Sequence, residues 1–263
     1  MDVANRTVWI TGASSGIGEA LAYELSRRGA RLILSARREE ALQAVKSRCD
    51  QPHTHVVVPL DLADRASLDA AAETVQADVG AVDIVVHNGG ISQRSLVAET
   101  DLSVDRRIME VNYFGTVTLT KRVLPSMLQR GRGQFVVISS LVGKFGTANR
   151  SAYAASKHAL HGFFDSLRAE VHDDGLRVTL VCPGFVETSV AHNALTADGS
   201  ALQDNVDEVK EVGMPPATCA RKIADAAERE KDEVYIGGWE TTGVYAKRLS
   251  PTLFNFFVRR TSV

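Results

Sequence analysis

Short apolar runs alternate along this chain with longer stretches whose apolar residues return every three or four positions. The runs are Thr7 to Thr11, Arg31 to Ala36, His55 to Leu60, Ile84 to His87, Gln134 to Ile138, Arg177 to Val181 and Glu233 to Ile236. Each is too short for a helix, and several end on Gly, Asp, Asn or Ser, the pattern of buried strands. Between them, Ile17, Leu21 and Leu25 mark a helix that stops at Gly29. A long helical pattern runs from about Val104 to Gln129, with Pro125 placed to kink it near its end. Another helix carries Tyr153, and a further one spans Ala217 to Glu230. Strands that alternate with helices predict an α/β fold. We expect a doubly wound, mostly parallel sheet of about seven strands with helices on both faces. In such a sheet ligands bind beyond the C-terminal strand ends.

Two stretches break the alternation. Residues 189–216 show no apolar period, and Asp198-Gly199-Ser200 is turn-prone. A loop of that length is usually functional, and we expect a substrate lid there. In the tail, around 245–260, Leu253, Phe254, Phe256, Phe257 and Val258 crowd beside Arg259 and Arg260. That pattern suits packing on the chain's own domain or a partner subunit, or weak contact with a membrane surface.

The chain has 263 residues, a formal net charge of -2 and 44% hydrophobic residues. No repeat or linker divides it, so residues 1–263 read as a single domain. Near-neutral charge argues against nucleic acid as a main partner. No apolar run could span a bilayer, and the N-terminal residues enter a strand at once, so neither a transmembrane segment nor a signal peptide is expected. Cys49, Cys182 and Cys219 form no CxxC pair, which predicts a reduced, cytoplasmic setting. The seven His residues make no convincing metal set, so no metal site is expected.

The chemistry gathers at strand ends. The first strand runs into Gly12, Ser14, Ser15, Gly16, Ile17 and Gly18, spaced G-x-x-x-G-x-G, and then into a helix. Such a turn offers free backbone N–H groups and a helix dipole to phosphates, and glycine lets the backbone come close. The second strand ends at Ala36, where a dinucleotide site often has an acid for the ribose 2′-hydroxyl. Arg37 and Arg38 follow instead, which suits a 2′-phosphate and favours NADP(H) over NAD(H). Asp61 and Leu62 close the third strand. Asp61 is placed either to bind adenine or to cap the next helix. Asn88, Gly89 and Gly90 close the fourth, where two glycines suggest close approach to a ligand or a neighbouring strand. Asn112 sits inside the long helical pattern, although Asn is a mediocre helix former. Ser140 closes the fifth strand. Tyr153 and Lys157 stand four apart on one helix face, where the cation would pull the phenol below its usual pKa of about 10.

Taken in order, these pieces resemble the short-chain dehydrogenase/reductase family over nearly the whole chain. The matching segments are residues 11–18, 88–90, Asn112, Ser140, the Tyr-x-x-x-Lys of 153–157, and Pro183-Gly184. Gly89 departs from the family, which more often has Ala there, and the change should be tolerated. Residues 109–112, 139–144 and 161–168 are similar to the 11-beta-hydroxysteroid dehydrogenase-like branch. The resemblance implies a tetrad, Asn112, Ser140, Tyr153 and Lys157, at a nicotinamide. Tyr153 would exchange the hydroxyl proton and Ser140 would orient the substrate oxygen. Lys157 would hold the ribose and lower the Tyr153 pKa. Asn112, through its backbone, would support a water that relays protons. Val186 and Thr188 would contact the carboxamide. It also implies a dimer or tetramer formed through the helices of Asn112 and Tyr153. Ile91, Leu141, Val142, Phe145 and Phe185 are expected to line an apolar pocket, which favours a hydrophobic alcohol, ketone or aldehyde. A 3-oxoacyl-thioester reductase and a non-catalytic dinucleotide-binding regulator remain as alternatives.

Overall fold

In the computed structural model, which describes residues 2–190, 193–202 and 213–258, seven parallel strands form one sheet. They are β1 (Thr7–Thr11), β2 (Arg31–Ser35), β3 (Val56–Val57), β4 (Ile84–His87), β5 (Gly133–Ile138), β6 (Leu176–Pro183) and β7 (Glu233–Ile236). The order across the sheet is β3-β2-β1-β4-β5-β6-β7. The direction of winding reverses between β1 and β4, so a crevice opens beyond their C-terminal ends.

The apolar runs are nearly continuous because both faces of the sheet are covered. Val8 and Ile10 of β1, with Leu32, Leu34, Val136 and Ile138, pack toward α1 (Gly16–Arg27) and α7 (Pro216–Glu228). Trp9, Ile33, Val85, Phe135 and Val137 point to the opposite face. There they meet α3 (Arg65–Asp78), α5 (Gly115–Arg130) and α6 (Ser151–Glu170). The one polar atom of Trp9 is satisfied: its Nε1–H donates to Ser35 Oγ at 2.8 Å. Arg28 ties α1 to α7, reaching Asp225 and Glu228 at 2.7 Å each.

Several boundaries differ from the sequence expectation. The run at 55–60 keeps only Val56–Val57 as strand. The run lies at the sheet edge beside β2; past Val57 the Val58 and Leu60 N–H groups still donate to Leu34 O and Ala36 O at 3.0 and 3.1 Å, while the Val58 carbonyl is taken by the Ser35 hydroxyl. The helical pattern near 104–129 is three pieces: α4 (Leu102–Met109), a π-helical turn (Glu110–Phe114) and α5, which carries Pro125 inside it. Within the lid expected at 189–216, residues 191–192 and 203–212 lie outside the described residues. Ahead of α7 the described part holds turns and isolated bridges. Leu195 bridges Gln93 in parallel and Ala201 in antiparallel, with Gly199 at φ +85 turning the chain between them.

The tail folds into α8 (Thr242–Leu249) and α9 (Pro251–Val258). Phe254 is buried, its ring 5.1 Å from that of Phe145. Part of the tail therefore packs on the chain itself. Arg259 and Arg260 lie outside the described residues, as do the side chains of Leu253 and Phe257.

Candidate active site

The C-terminal ends of β1 and β4 are interlocked by bonds between side chain and backbone. Thr11 Oγ1 accepts N–H bonds from Asn88 and Gly89 at 3.1 Å each. The Asn88 amide donates back to Thr11 O and Gly12 O, again at 3.1 Å. Gly12 has φ +65, and a Cβ there would lie 2.7 Å from Gly89 Cα. A Cβ on Gly18 would lie 2.2 Å from Gly12 O. Glycine is thus required by the neighbouring strand as well as by any ligand. At Gly89 an alanine Cβ would lie 2.6 Å from Leu62 Cδ1, the far end of a flexible side chain. The Gly-for-Ala change noted in the sequence therefore gives Leu62 its position.

These turns floor a cleft of about 630 Å³. Gly12, Ser14, Ser15, Gly16 and Ile17 line it, with Arg37, Arg38, Asp61, Leu62, Asn88, Gly89 and Gly90. Ser140, Tyr153, Lys157, Pro183, Gly184, Val186 and Thr188 complete the lining, and Thr188 stands against Gly16. Two of the expected residues do not line it. Gly18 acts behind the turn, and Asn112 is buried beneath it. Asp61 does not cap the following helix, since the N-cap is Asp64, whose carboxylate accepts the Ala66 N–H at 2.9 Å. One Asp61 oxygen instead accepts the Ala63 N–H at 2.9 Å. Arg37 and Arg38 are exposed, and Ala36 follows the end of β2.

The π turn accounts for Asn112. One extra residue in the helix frees local backbone and turns the side chain toward the loop after β4. Asn112 Nδ2 donates to Ile91 O and Ser156 Oγ, both at 2.9 Å, and Oδ1 accepts the Ile91 N–H at 2.8 Å. All three partners lie far away in sequence, so the Asn is held by a tertiary amide clamp. Its carbonyl accepts the Thr116 hydroxyl at 3.0 Å. Asn112→Ala would leave this buried set unpaired. We expect a loss of about 3 kcal/mol. That is a fall in Tm of roughly 8 °C, measurable by calorimetry.

Ser140 ends β5 with extended backbone. Its Oγ accepts the Val142 N–H at 3.3 Å and reaches Pro183 O at 3.4 Å. Tyr153 lies in the first turn of α6, half-buried, with the Ser140 hydroxyl in hydrogen-bonding reach. The effect expected of Lys157 on Tyr153 is not what the structure shows. Lys157 Nζ is turned onto Ile138 O at 2.8 Å and sits 5.7 Å from the centre of the Tyr153 ring. Burial raises the Tyr153 pKa, and the charge that opposes it comes from Arg150. Burial likewise pushes Lys157 down to about 8. A buried ammonium that titrates near neutrality can hand over a proton.

The apolar wall also needs correction. Ile91 lines the cleft, with Val190 and Leu195 opposite. Leu141 and Phe145 are buried in a separate cluster with Cys182, Val244 and Phe254, beneath the C-terminal helices. Val142 is buried as well, and Phe185 is among the more exposed apolar residues. The strand-helix loop carries its apolar side chains into the core rather than toward the cleft.

Other contributors carry no sequence motif. Gln93 is fully buried: its Oε1 accepts the Ala152 N–H at 2.9 Å, and its Nε2 bonds Ser95 Oγ and Thr100 Oγ1 at 3.0 Å each. It anchors the start of α6, and with it Tyr153. Ser139 Oγ reaches Lys157 O at 3.3 Å and His161 Nε2 at 3.1 Å, bracing α6 from the other side. Arg107 lines the cleft from α4.

Glycine cradles with closed Cβ positions, exposed cations, and a Tyr, Ser and Lys in one cleft fit an elongated anion with a reactive head. A nicotinamide dinucleotide meets that description. Comparison with known proteins agrees. The short chain dehydrogenase family model matches residues 6–199. A Drosophila melanogaster protein described as dehydrogenase/reductase SDR family protein 7-like is 42% identical over 264 residues, covering 98% of this chain and 81% of its own. Human dehydrogenase/reductase SDR family member 7 is 42% identical over 242 residues, covering 89% of this chain and 71% of its own. A short-chain dehydrogenase crystal structure from Streptomyces avermitilis superposes with a TM-score of 0.82 at 29% identity, covering 99% of this chain and 100% of that one. The chain therefore belongs to the short-chain dehydrogenase/reductase family, oxidoreductases that act on CH–OH groups with a nicotinamide dinucleotide.

Proposed function

We propose that the protein is an NADP(H)-dependent reductase or dehydrogenase that interconverts an apolar-bodied ketone and secondary alcohol, or an aldehyde and primary alcohol, with Tyr153 exchanging the proton. The observation that carries the reaction is the meeting of Tyr153, Ser140 and Lys157 in the glycine-floored cleft. The dinucleotide, when bound, supplies or takes up the hydride. Ser140 directs its hydroxyl at the substrate oxygen. Tyr153, held near it, gives the oxygen a proton in reduction and takes one in oxidation. Lys157 lies on the same helix face, buried and close to neutral titration, and replenishes that proton. Asn112 acts from below: its amide clamp fixes the loop at Ile91 against α6, which sets the cleft floor beside Tyr153. Val186 and Thr188 stand where they meet the nicotinamide end, and a Cβ on Gly16 would lie 3.1 Å from Thr188 Cγ2, so that wall closes on the glycine turn.

The dinucleotide preference rests on the end of β2. Arg37 and Arg38 line the cleft, exposed, where an acid would select the free 2′-hydroxyl. Arg37→Ala should weaken NADPH binding roughly 10- to 100-fold, the scale of a charge-assisted bond, and leave NADH unchanged. Separate fluorescence titrations of the two dinucleotides decide it. Wild-type protein that binds NADH as tightly as NADPH would refute the preference.

The same reading extends to partners and place. A dimer or tetramer through the helices of Asn112 and Tyr153 is supported by Phe114, about half exposed on the π turn. Weak membrane-surface contact by the tail is supported by Trp239, Tyr245, Leu249 and Phe256, all exposed, beside Lys247 and Arg248. No helix among the described residues is long and apolar enough to cross a membrane. Three free, buried cysteines suit a cytoplasmic setting.

A further inference from the structure

Two arginines, Arg94 and Arg150, flank the start of α6, the helix that carries Tyr153. Arg150 is the N-cap of α6, one turn before Tyr153 on the same helix. Arg94 follows the buried Gln93 in the loop after β4. The two loops run side by side: the Ser95 N–H donates to Asn149 O at 3.2 Å, Gln93 Nε2 reaches Ser151 Oγ at 3.4 Å, and Gln93 Oε1 accepts the Ala152 N–H at 2.9 Å. Both arginines are half-buried. Among the described residues, no carboxylate acts on either of them. Arg150 Nε is buried without a hydrogen-bond partner, and so is the hydroxyl of Thr147.

The electrostatics agree with the geometry. Burial lowers the pKa of both guanidinium groups. The Arg94 charge adds to this at Arg150, bringing it down to about 10. Two partly desolvated like charges, one with an unpaired Nε–H, are costly unless an anion joins them. The dinucleotide's own phosphates do not fill this role, since neither arginine lines the cleft along the glycine turn. Guanidinium forks match the planar or tetrahedral oxygens of carboxylate and phosphate. Arg150 is close enough to Tyr153 for the two to interact electrostatically, so the anionic end of a substrate whose carbonyl meets the phenol would fall near it.

We propose that Arg94 and Arg150, with the Thr147 hydroxyl, form a subsite for an oxyanion, carboxylate or phosphate, carried by the carbonyl substrate. The proposal rests on Tyr153 as the proton-exchanging group and adds a charged end to an otherwise apolar substrate.

The test is calorimetric binding of three ten-carbon probes, decanol, decanoate and decyl phosphate, to the full chain, with and without NADPH. Wild-type protein should bind one or both anions about tenfold or more tightly than decanol, and the preferred anion names the headgroup. Arg94→Gln and Arg150→Gln should each bring the preferred anion close to decanol while leaving decanol itself unchanged. Arg150→Lys, which keeps the charge and loses the fork, should fall between. Equal affinity for all three probes, no binding of any, or a preference that survives both glutamine variants overturns the subsite. Should a variant unfold by circular dichroism, the wild-type comparison and Arg150→Lys still decide. Failure of NADPH to bind overturns the dinucleotide reading instead, because the probes are also compared without it.

Discussion

Tyr153→Phe should lower turnover about a thousandfold, or about 4 kcal/mol in the barrier, with dinucleotide affinity and Tm unchanged. The phenol oxygen is the only atom removed. Ser140 keeps its bonds to Val142 N and Pro183 O, so the fold has no reason to respond. The residual rate should also lose the pH dependence that the phenol gives wild type. In the dinucleotide-free protein Tyr153 is raised by burial, against the charge of Arg150 and the Ser140 hydroxyl. Any downward shift into the working range must therefore come with the bound dinucleotide, or from Lys157 released from Ile138 O. Steady-state rates against pH for wild type and Tyr153→Phe, beside a binding titration, check this. A variant that retains more than a tenth of wild-type turnover would remove Tyr153 from the proton step.

The second large effect lies in the core. His87 ends β4 fully buried, with its ring stacked on Phe135 at 5.9 Å and tilted against Phe164 at 5.8 Å. Its Nε2 is 2.9 Å from Thr120 Oγ1, and that hydroxyl already donates to Thr116 O at 2.8 Å. The hydroxyl has one proton, so His87 must be the donor through Nε2–H, and Nδ1 is left bare without a partner. Burial holds the folded pKa at about 3, against 6.5 in the unfolded chain. The unfolded state therefore binds the extra proton first. Stability is complete above pH 6.5 and falls with pH until about 3. Between pH 7 and pH 4 the loss from this residue is about 3 kcal/mol. Urea unfolding of wild type at pH 7 and pH 4, beside His87→Phe, measures it. The variant keeps Thr120 bonded to Thr116 O and should show a shallower acid slope by about one proton. Parallel slopes in the two proteins would place the acid sensitivity elsewhere.

The sheet and the site read differently well from sequence, for identifiable reasons. β1, β2, β4, β5, β6 and β7 are legible because strands in a sheet covered on both faces leave apolar runs. β3 is shorter than its apolar run because the Ser35 hydroxyl takes the Val58 carbonyl, a side-chain contact that hydrophobicity does not reveal. The glycine turn and the Tyr-Lys pair were visible because close backbone approach and helix-face geometry each permit few residue types. Gln93, Thr11 and Ser156 were not, because their partners are remote: Gln93 meets Ala152 across 59 residues, and Thr11 meets Gly89 across 78. An isolated Gln or Thr has no spacing that betrays such a contact. Leu141, Val142 and Phe145 were assigned to the wrong surface because sequence shows that a side chain is apolar but not which apolar neighbours it reaches. The opposing influences on Tyr153 were hidden for a related reason. The spacing placed Lys157 on its face, while the desolvation that outweighs any nearby charge depends on everything packed around the ring.

The π turn at Glu110–Phe114 has a further implication for how this chain tolerates changes in length. A π turn spends one residue more than an α-turn on about the same rotation. Removing one residue from 110–114 would let α4 and α5 fuse into a regular helix, at little local cost and with α5 kept in phase. Thr116 and Thr120 would hold their stations, but without the bulge the Asn112 side chain could no longer meet Ile91 and Ser156 together. Single-residue deletions here should therefore abolish the site while sparing helix content. Deletions in the exposed turn at Thr196–Ser200 should be borne far better.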